Sequence, residues 1–188
     1  DDEAGARIAQ AFFTSHAAET VADLAGWSGQ TLTWARASVA ACGDALTAVE
    51  LTGRTRSVPS AWLGRDPEDL APRHDPLLLP GFDEFILGFK DRSDVLTAAD
   101  ERALCPGGNG VFRNTAIVDG RVVGLWARAS TTKRLTISLE PLTRLSAPVR
   151  KALAVSAAAE AERRGLDIAF TVVEAGAATR AVASTNGG

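Results

Sequence analysis

Helical spacing of apolar residues dominates the start of the chain. Over residues 3–16, Ile8, Ala11 and Phe12, with Ser15, fall on one stripe of an amphipathic helix. A second, shorter helix fits residues 19–26, with Val21, Leu24 and Ala25 inward, Trp27 closing it and Gly26, Ser28 and Gly29 forming a turn. Thr31 is placed to cap a third helix over 32–42 that buries Leu32, Ala35, Val39 and Cys42, with Gly43 as its stop. The period then changes. Residues 45–51 alternate in the manner of a strand, and Gly53 turns the chain into a second strand over 56–62. Three helices followed by a two-stranded hairpin is the order of a winged helix, whose third helix enters a DNA groove. A generic small helical domain with a hairpin satisfies the same pattern.

Residues 64–76 (GRDPEDLAPRHDP) break the periodicity with prolines and charges, as a connector does. The apolar run Leu77–Leu79, a Pro80-Gly81 turn and the segment 82–96 (FDEFILGFKDRSDVL) follow. Beyond them the chain is strand-rich. Residues 111–118 and 121–128 flank Asp119-Gly120, a pair suited to a type I′ hairpin turn, in which both central residues take positive φ. Residues 135–139 add a third strand, Ser146 caps a long alanine-rich helix that stops at Gly165, and residues 168–173 give a last strand. The fold class expected is α+β: a winged-helix domain over 1–63, a linker over 64–76, a β-rich domain with one long helix over 77–175, and a flexible tail over 176–188.

Composition changes this picture little, except in two respects. The 188 residues are 46% hydrophobic and 23% charged, ordinary for a globular chain, and the net charge of −3 argues against a strongly basic nucleic-acid binder. Any contact with DNA must therefore rest on local charge. Cys42 and Cys105 form no CxxC pair, and His16 and His74 lie far apart, so neither a disulfide framework nor a metal site is expected, and no cofactor is implied. No apolar run is long enough for a transmembrane helix and no signal peptide is visible, so a cytoplasmic location without membrane contact is expected. The chain contains no methionine and starts at Asp1, and further N-terminal sequence is expected to precede it as a partner domain.

Three stretches carry a family resemblance. TVADLAGWSGQTLTWARA (20–37), LLLPGFDEFILGFKDRSDVL (77–96) and PGGNGVFRNTAIVDGRVVGLW (106–126) closely resemble winged-helix DNA-binding proteins of the AlkZ-like (YcaQ-like) DNA glycosylase superfamily. The similarity spans most of residues 5–165 and corresponds to the C-terminal portion of the family. It implies tandem winged helices around duplex DNA, a β-rich C-terminal element, and excision of alkylated or crosslinked bases. The family's catalytic pair lies in a Gln-x-Gln or Gln-x-Asp motif nearer the N-terminus. The only glutamines in this chain, Gln10 and Gln30, form no such motif. A hydrolytic glycosylase needs two polar groups converging on water and sugar, so no catalytic residue is assigned to this chain.

Candidate DNA-contacting residues come from local charge. Arg113, Arg121 and Arg128, with Lys133 and Arg134, surround the Asp119-Gly120 hairpin and face the single acid Asp119, which suits a backbone-contacting strip. Strict alternation sends Arg121 and Arg128 to opposite faces, whereas Arg113 and Arg121 are expected near each other across the hairpin. The ordinary alternative is a solvated face. Arg36, near Thr33 and Trp34, is the only basic residue of the third helix, which points to non-specific contact because readers of sequence offer several long polar side chains. Arg54 and Arg56 flank the expected wing tip, where phosphate contact and simple solvation are both reasonable. In the KDRS cluster, either Lys90 and Arg92 grip phosphate, or Asp83, Glu84 and Asp91 pair with them to lock the connector in place.

Other motifs offer less. The Gly107–Gly110 loop lacks the following Lys-Ser/Thr of a phosphate-binding loop, Cys105 has no neighbouring histidine, and His16 suits a helix end. The functional expectation is non-specific duplex DNA binding as the C-terminal part of an AlkZ-like protein, a glycosylase when full length. The alternative is a protein-interaction module in which the alanine-rich helix packs a partner.

Overall fold

Strand and helix follow each other much as the periodicity predicts, with the differences concentrated where packing overrides pattern. The computed structural model describes residues 2–66, 76–89 and 91–173. These separate into two compact units, one holding residues 2–66 and 87–89, the other residues 76–86 and 91–173. Most of the expected linker, the expected tail and Lys90 lie outside the described residues. The chain is α+β, with helices and strands segregated along the sequence in the first unit and mixed in the second.

In the first unit, α1 (Asp2–His16), α2 (Val21–Ser28) and α3 (Leu32–Ala41) precede an antiparallel pair, β1 (Leu46–Leu51) and β2 (Arg54–Pro59). Local chemistry defines the helix starts. Thr20 and Asp23 form a reciprocal capping box, and the Thr31 hydroxyl accepts from the Trp34 amide at 3.1 Å. Gly29, at φ 67°, takes the left-handed position that ends α2, so Gly26 and Ser28 belong to the helix and not to the turn.

The buried face of α1 is Gly5, Ala9, Phe12 and Phe13, and Ile8 is 41% exposed, which rotates the expected stripe. Close approach of α3 is the reason. A Cβ on Gly5 would lie 2.5 Å from the Ser38 hydroxyl, so only small residues fit that seam. Leu32, likewise expected inside, is 40% exposed at the first turn of α3, while Ala35 and Ser38 are buried. Phe12, Phe13, Leu24 and Ala35 centre the core, with Phe89 packed against it. His16 stacks on the Phe12 ring, centroids 4.5 Å apart, which occupies it as an aromatic neighbour.

The second unit is a five-stranded sheet ordered β3 (Leu77–Leu79), β4 (Asn114–Val118), β5 (Arg121–Ser130), β6 (Arg134–Pro141) and β7 (Asp167–Val172). All neighbours are antiparallel except β6 and β7, which run parallel because α6 (Ala147–Arg163) returns the chain between them. The Asp119-Gly120 turn is as predicted, with φ 49° and 72°. One core, including Trp126, Leu135, Ile137, Leu139, Leu153 and Ala157, lies between sheet and α6. A second gathers Ile86, Leu96, Leu104, Ile117 and Leu125 beside the short helices α4 (Glu84–Leu87) and α5 (Ala98–Leu104). These two helices escape a periodicity reading because neither completes enough turns to show a stripe.

Candidate nucleic-acid interface

Each predicted arginine sits in an environment set by its element, and the environments differ sharply. Arg36 is exposed on α3, whose Ala35 and Ser38 face the core. The β1–β2 turn places Thr52 and Gly53 at φ 51° and 74°, and Arg54 stands half-buried just after it, opposite Leu51. Arg56 turns inward. Its side chain is 8% exposed, Nη1 donates to the Ala18 carbonyl at 2.9 Å, and the Glu19 carboxylate lies 3.5 Å away. The same hairpin is tied there by Ser57 N–H donating to Glu19 O at 2.9 Å. Arg56 thus fastens the hairpin to the α1–α2 loop, correcting its expected place at a phosphate.

Around the second hairpin, Arg121 is exposed and its Nη1 donates to the Asp94 carbonyl at 3.1 Å. Arg128 is exposed on the strand face that carries α6, at the edge of a groove of ≈ 470 Å³ shared with Ile137, Ser156, Arg163 and Arg164. Lys133 and Arg134 are also exposed, in a turn whose amides are received by the Thr131 hydroxyl.

Arg113 departs from expectation. Strand register pairs Val118 with Arg121 and Asn114 with Trp126, so Arg113 lies at the far end of the hairpin from Arg121. Five residues of strand separate the two ends, roughly 17 Å at the usual rise. Arg113 instead donates to Glu140 at 2.5 Å in a largely buried ion pair. Arg92 is similarly engaged within its unit: Nε donates to the Ile86 carbonyl at 2.6 Å, Nη1 to Glu101 at 2.9 Å, and the guanidinium lies 5.1 Å from the Phe112 ring centre. Arg92 therefore has a structural partner, Glu101 of α5, which is none of the three acids, Asp83, Glu84 and Asp91, expected to pair with it. Lys90 lies outside the described residues.

Three further cations escape a reading of the sequence. Arg144, Arg150 and Lys151 lie in the run Pro141–Lys151, which contains no acid, and their signal is that one-sided charge. Gln10 and Gln30 are exposed, on α1 and before α3 respectively, and do not converge on a common site. The Gly107–Gly110 loop leads into β4 and not into a helix, so its glycines serve a turn, with Asn109 receiving the Val111 amide at 3.1 Å. Among the described residues no group of three or more His, Cys, Asp or Glu is placed to hold a metal, and no helix is long and apolar enough to cross a membrane.

The arrangement is an α+β chain whose second hairpin carries the exposed Arg121 and Arg128. Comparison with known proteins gives it a family. The model of the AlkZ-like DNA glycosylases matches residues 1–163, and the chain belongs to that family. An interstrand DNA cross-link repair glycosylase of Streptomyces sahachiroi is 30% identical over 131 residues, 66% of this chain and 34% of the relative. The solved structure of Streptomyces sahachiroi DNA glycosylase AlkZ superposes with a TM-score of 0.73 at 27% identity, covering 92% of this chain and 46% of that one. The chain thus spans less than half the length of the relatives it matches.

Proposed function

We propose that this chain is the duplex-gripping part of an AlkZ-like DNA glycosylase, and that its contact with DNA is non-specific and mediated by phosphate. The observation that carries the reading is the family match over residues 1–163, joined to the exposure of Arg36, Arg121 and Arg128. In this reading the first unit is a winged helix, with α3 approaching a groove and the β1–β2 turn as its wing. Arg36 alone offers a long cationic side chain from α3, enough for backbone contact and too little to read bases. Base excision, including unhooking of crosslinks as the Streptomyces relative's name describes, is proposed for the full-length protein only.

Titration of fluorescent duplex DNA with the chain at several salt concentrations tests the grip. Micromolar or weaker affinity is expected, with a linear fall of log K against log salt. Absence of binding at low salt overturns DNA contact by this chain. A second reading, a protein-interaction module, draws on the exposed Phe82, 69% accessible, and on Val155, 62% accessible on α6. It predicts complex formation that salt leaves largely unchanged.

A further inference from the structure

Two of the three cations that the sequence does not single out, Arg144 and Arg150, line a groove. It has a volume of ≈ 670 Å³, it is open to solvent, and it is bounded by Pro141, Thr143, Arg144, Ser146, Arg150 and Val172. Arg144 and Arg150 are both exposed, and neither side chain makes a hydrogen bond or ion pair with another described residue. Lys151, next in sequence, is exposed as well but is not part of the groove lining. Several other cations of the molecule are tied to acids within the fold. Arg56, Arg92 and Arg113 each reach a carboxylate, and Arg163 and Arg164 share Glu160.

Packing does not explain the cluster either. The α6 residues that meet the sheet core are Val149, Leu153, Ala157 and Ala161, and neither Arg144 nor Arg150 belongs to that core. Arg150 and Lys151 also sit in the opening turns of α6, where the backbone dipole repels positive charge, so their placement works against the helix. An anion in the groove would relieve that repulsion, and the size suits a nucleotide-sized group. Local rules are commonly broken where a ligand compensates.

We propose that this groove seats a phosphate of duplex DNA, with Arg144 and Arg150 donating to its oxygens. The proposal rests on the DNA-binding reading above and extends it to Arg144 and Arg150, two residues of the sheet unit on which that reading does not stand. Guanidinium groups suit the task because they donate in a fork that matches phosphate oxygens.

The test compares the unaltered chain with an Arg144→Gln/Arg150→Gln variant and with an Arg163→Gln/Arg164→Gln variant. Both variants lose the same formal charge, and thermal melting checks that each is folded. Duplex DNA titrations across salt should show the groove variant weakened, its salt slope smaller by about 1 for each phosphate that the chain no longer neutralises, and the Glu160-side variant closer to the unaltered chain. Equal weakening of both variants would reduce the effect to net charge and overturn the groove. An unchanged slope in the groove variant overturns it as well while leaving DNA binding intact. No binding by the unaltered chain removes the proposed function itself, and this inference with it.

Discussion

Glu140 is only 4% exposed, and Arg113 reaches its carboxylate across the end of the β4–β5 hairpin. Removing Glu140 leaves the Arg113 guanidinium, 18% exposed, without that carboxylate in a low-dielectric setting, so Glu140→Ala should cost on the order of 3 kcal/mol of stability. Urea denaturation measures this, and an unchanged midpoint would show that water already screens the pair. Gly81 makes a steric prediction. A Cβ there would lie 2.1 Å from the Phe112 carbonyl oxygen, and the Gly81 amide already donates to Asn114 Oδ1 at 2.8 Å. Gly81→Ala should therefore destabilise by about 1–3 kcal/mol, read as a lower melting temperature. The two thiols should also differ. Burial pushes the Cys42 thiol up from its ordinary value, and its sulfur sits 3.2 Å from the Ser38 carbonyl oxygen, whereas Cys105 is partly exposed. Alkylation of the native chain should modify Cys105 first, and peptide mass spectrometry would detect the reverse order.

Among the elements, helix starts are the most legible feature, because a cap is a local hydrogen bond between residues close in sequence. Thr31 and Ser146 are readable as caps, and both accept from the amide three residues on, at 3.1 and 3.4 Å. Thr31→Ala should cost about 1 kcal/mol, and a smaller loss would indicate that the packing of α3 on α1 holds that turn without its cap. The C-terminal end of α6 behaves differently with pH. Hydrogen bonds from Arg163 and Arg164 hold the Glu160 carboxyl below its ordinary range. A carboxylate with a depressed native pKa adds stability above its unfolded pKa, and the contribution disappears as pH falls through the native one. All three side chains are substantially exposed, so solvent keeps the effect small. A two-residue hairpin turn is equally local. Asp119-Gly120 announces β4 and β5, but the register that separates Arg113 from Arg121 emerges only from the paired strands.

At the scale of the molecule, the arginines divide into two populations that sequence alone does not distinguish. Arg36 and Arg128 are exposed, whereas Arg56, Arg92 and Arg113 are tied to carboxylates and carbonyls. Replacing Arg36 or Arg128 with Ala should weaken duplex binding and lower the salt slope by about 1 each, with little change in melting temperature. Replacing Arg56, Arg92 or Arg113 should lower the melting temperature first. If the second group instead reduced DNA binding without loss of stability, the division drawn from burial would be wrong.

Hydrophobic period, caps and turn residues act between neighbours in sequence, so the α+β class and the order of elements, the short helices α4 and α5 excepted, follow from the chain by itself. The family follows too, since the three stretches at 20–37, 77–96 and 106–126 carry it and the match to residues 1–163 agrees. Inward or outward orientation does not follow. Ile8 and Leu32 reach solvent because Gly5 and Ser38 bring α1 and α3 too close for large side chains. The fate of each arginine likewise depends on acids and carbonyls distant in sequence: Glu19 for Arg56, Glu140 for Arg113 and Glu101 for Arg92. Those partners meet only when the tertiary structure closes, because burial makes an unpaired charge costly and leaves cations free to meet phosphate only where no carboxylate has been folded against them.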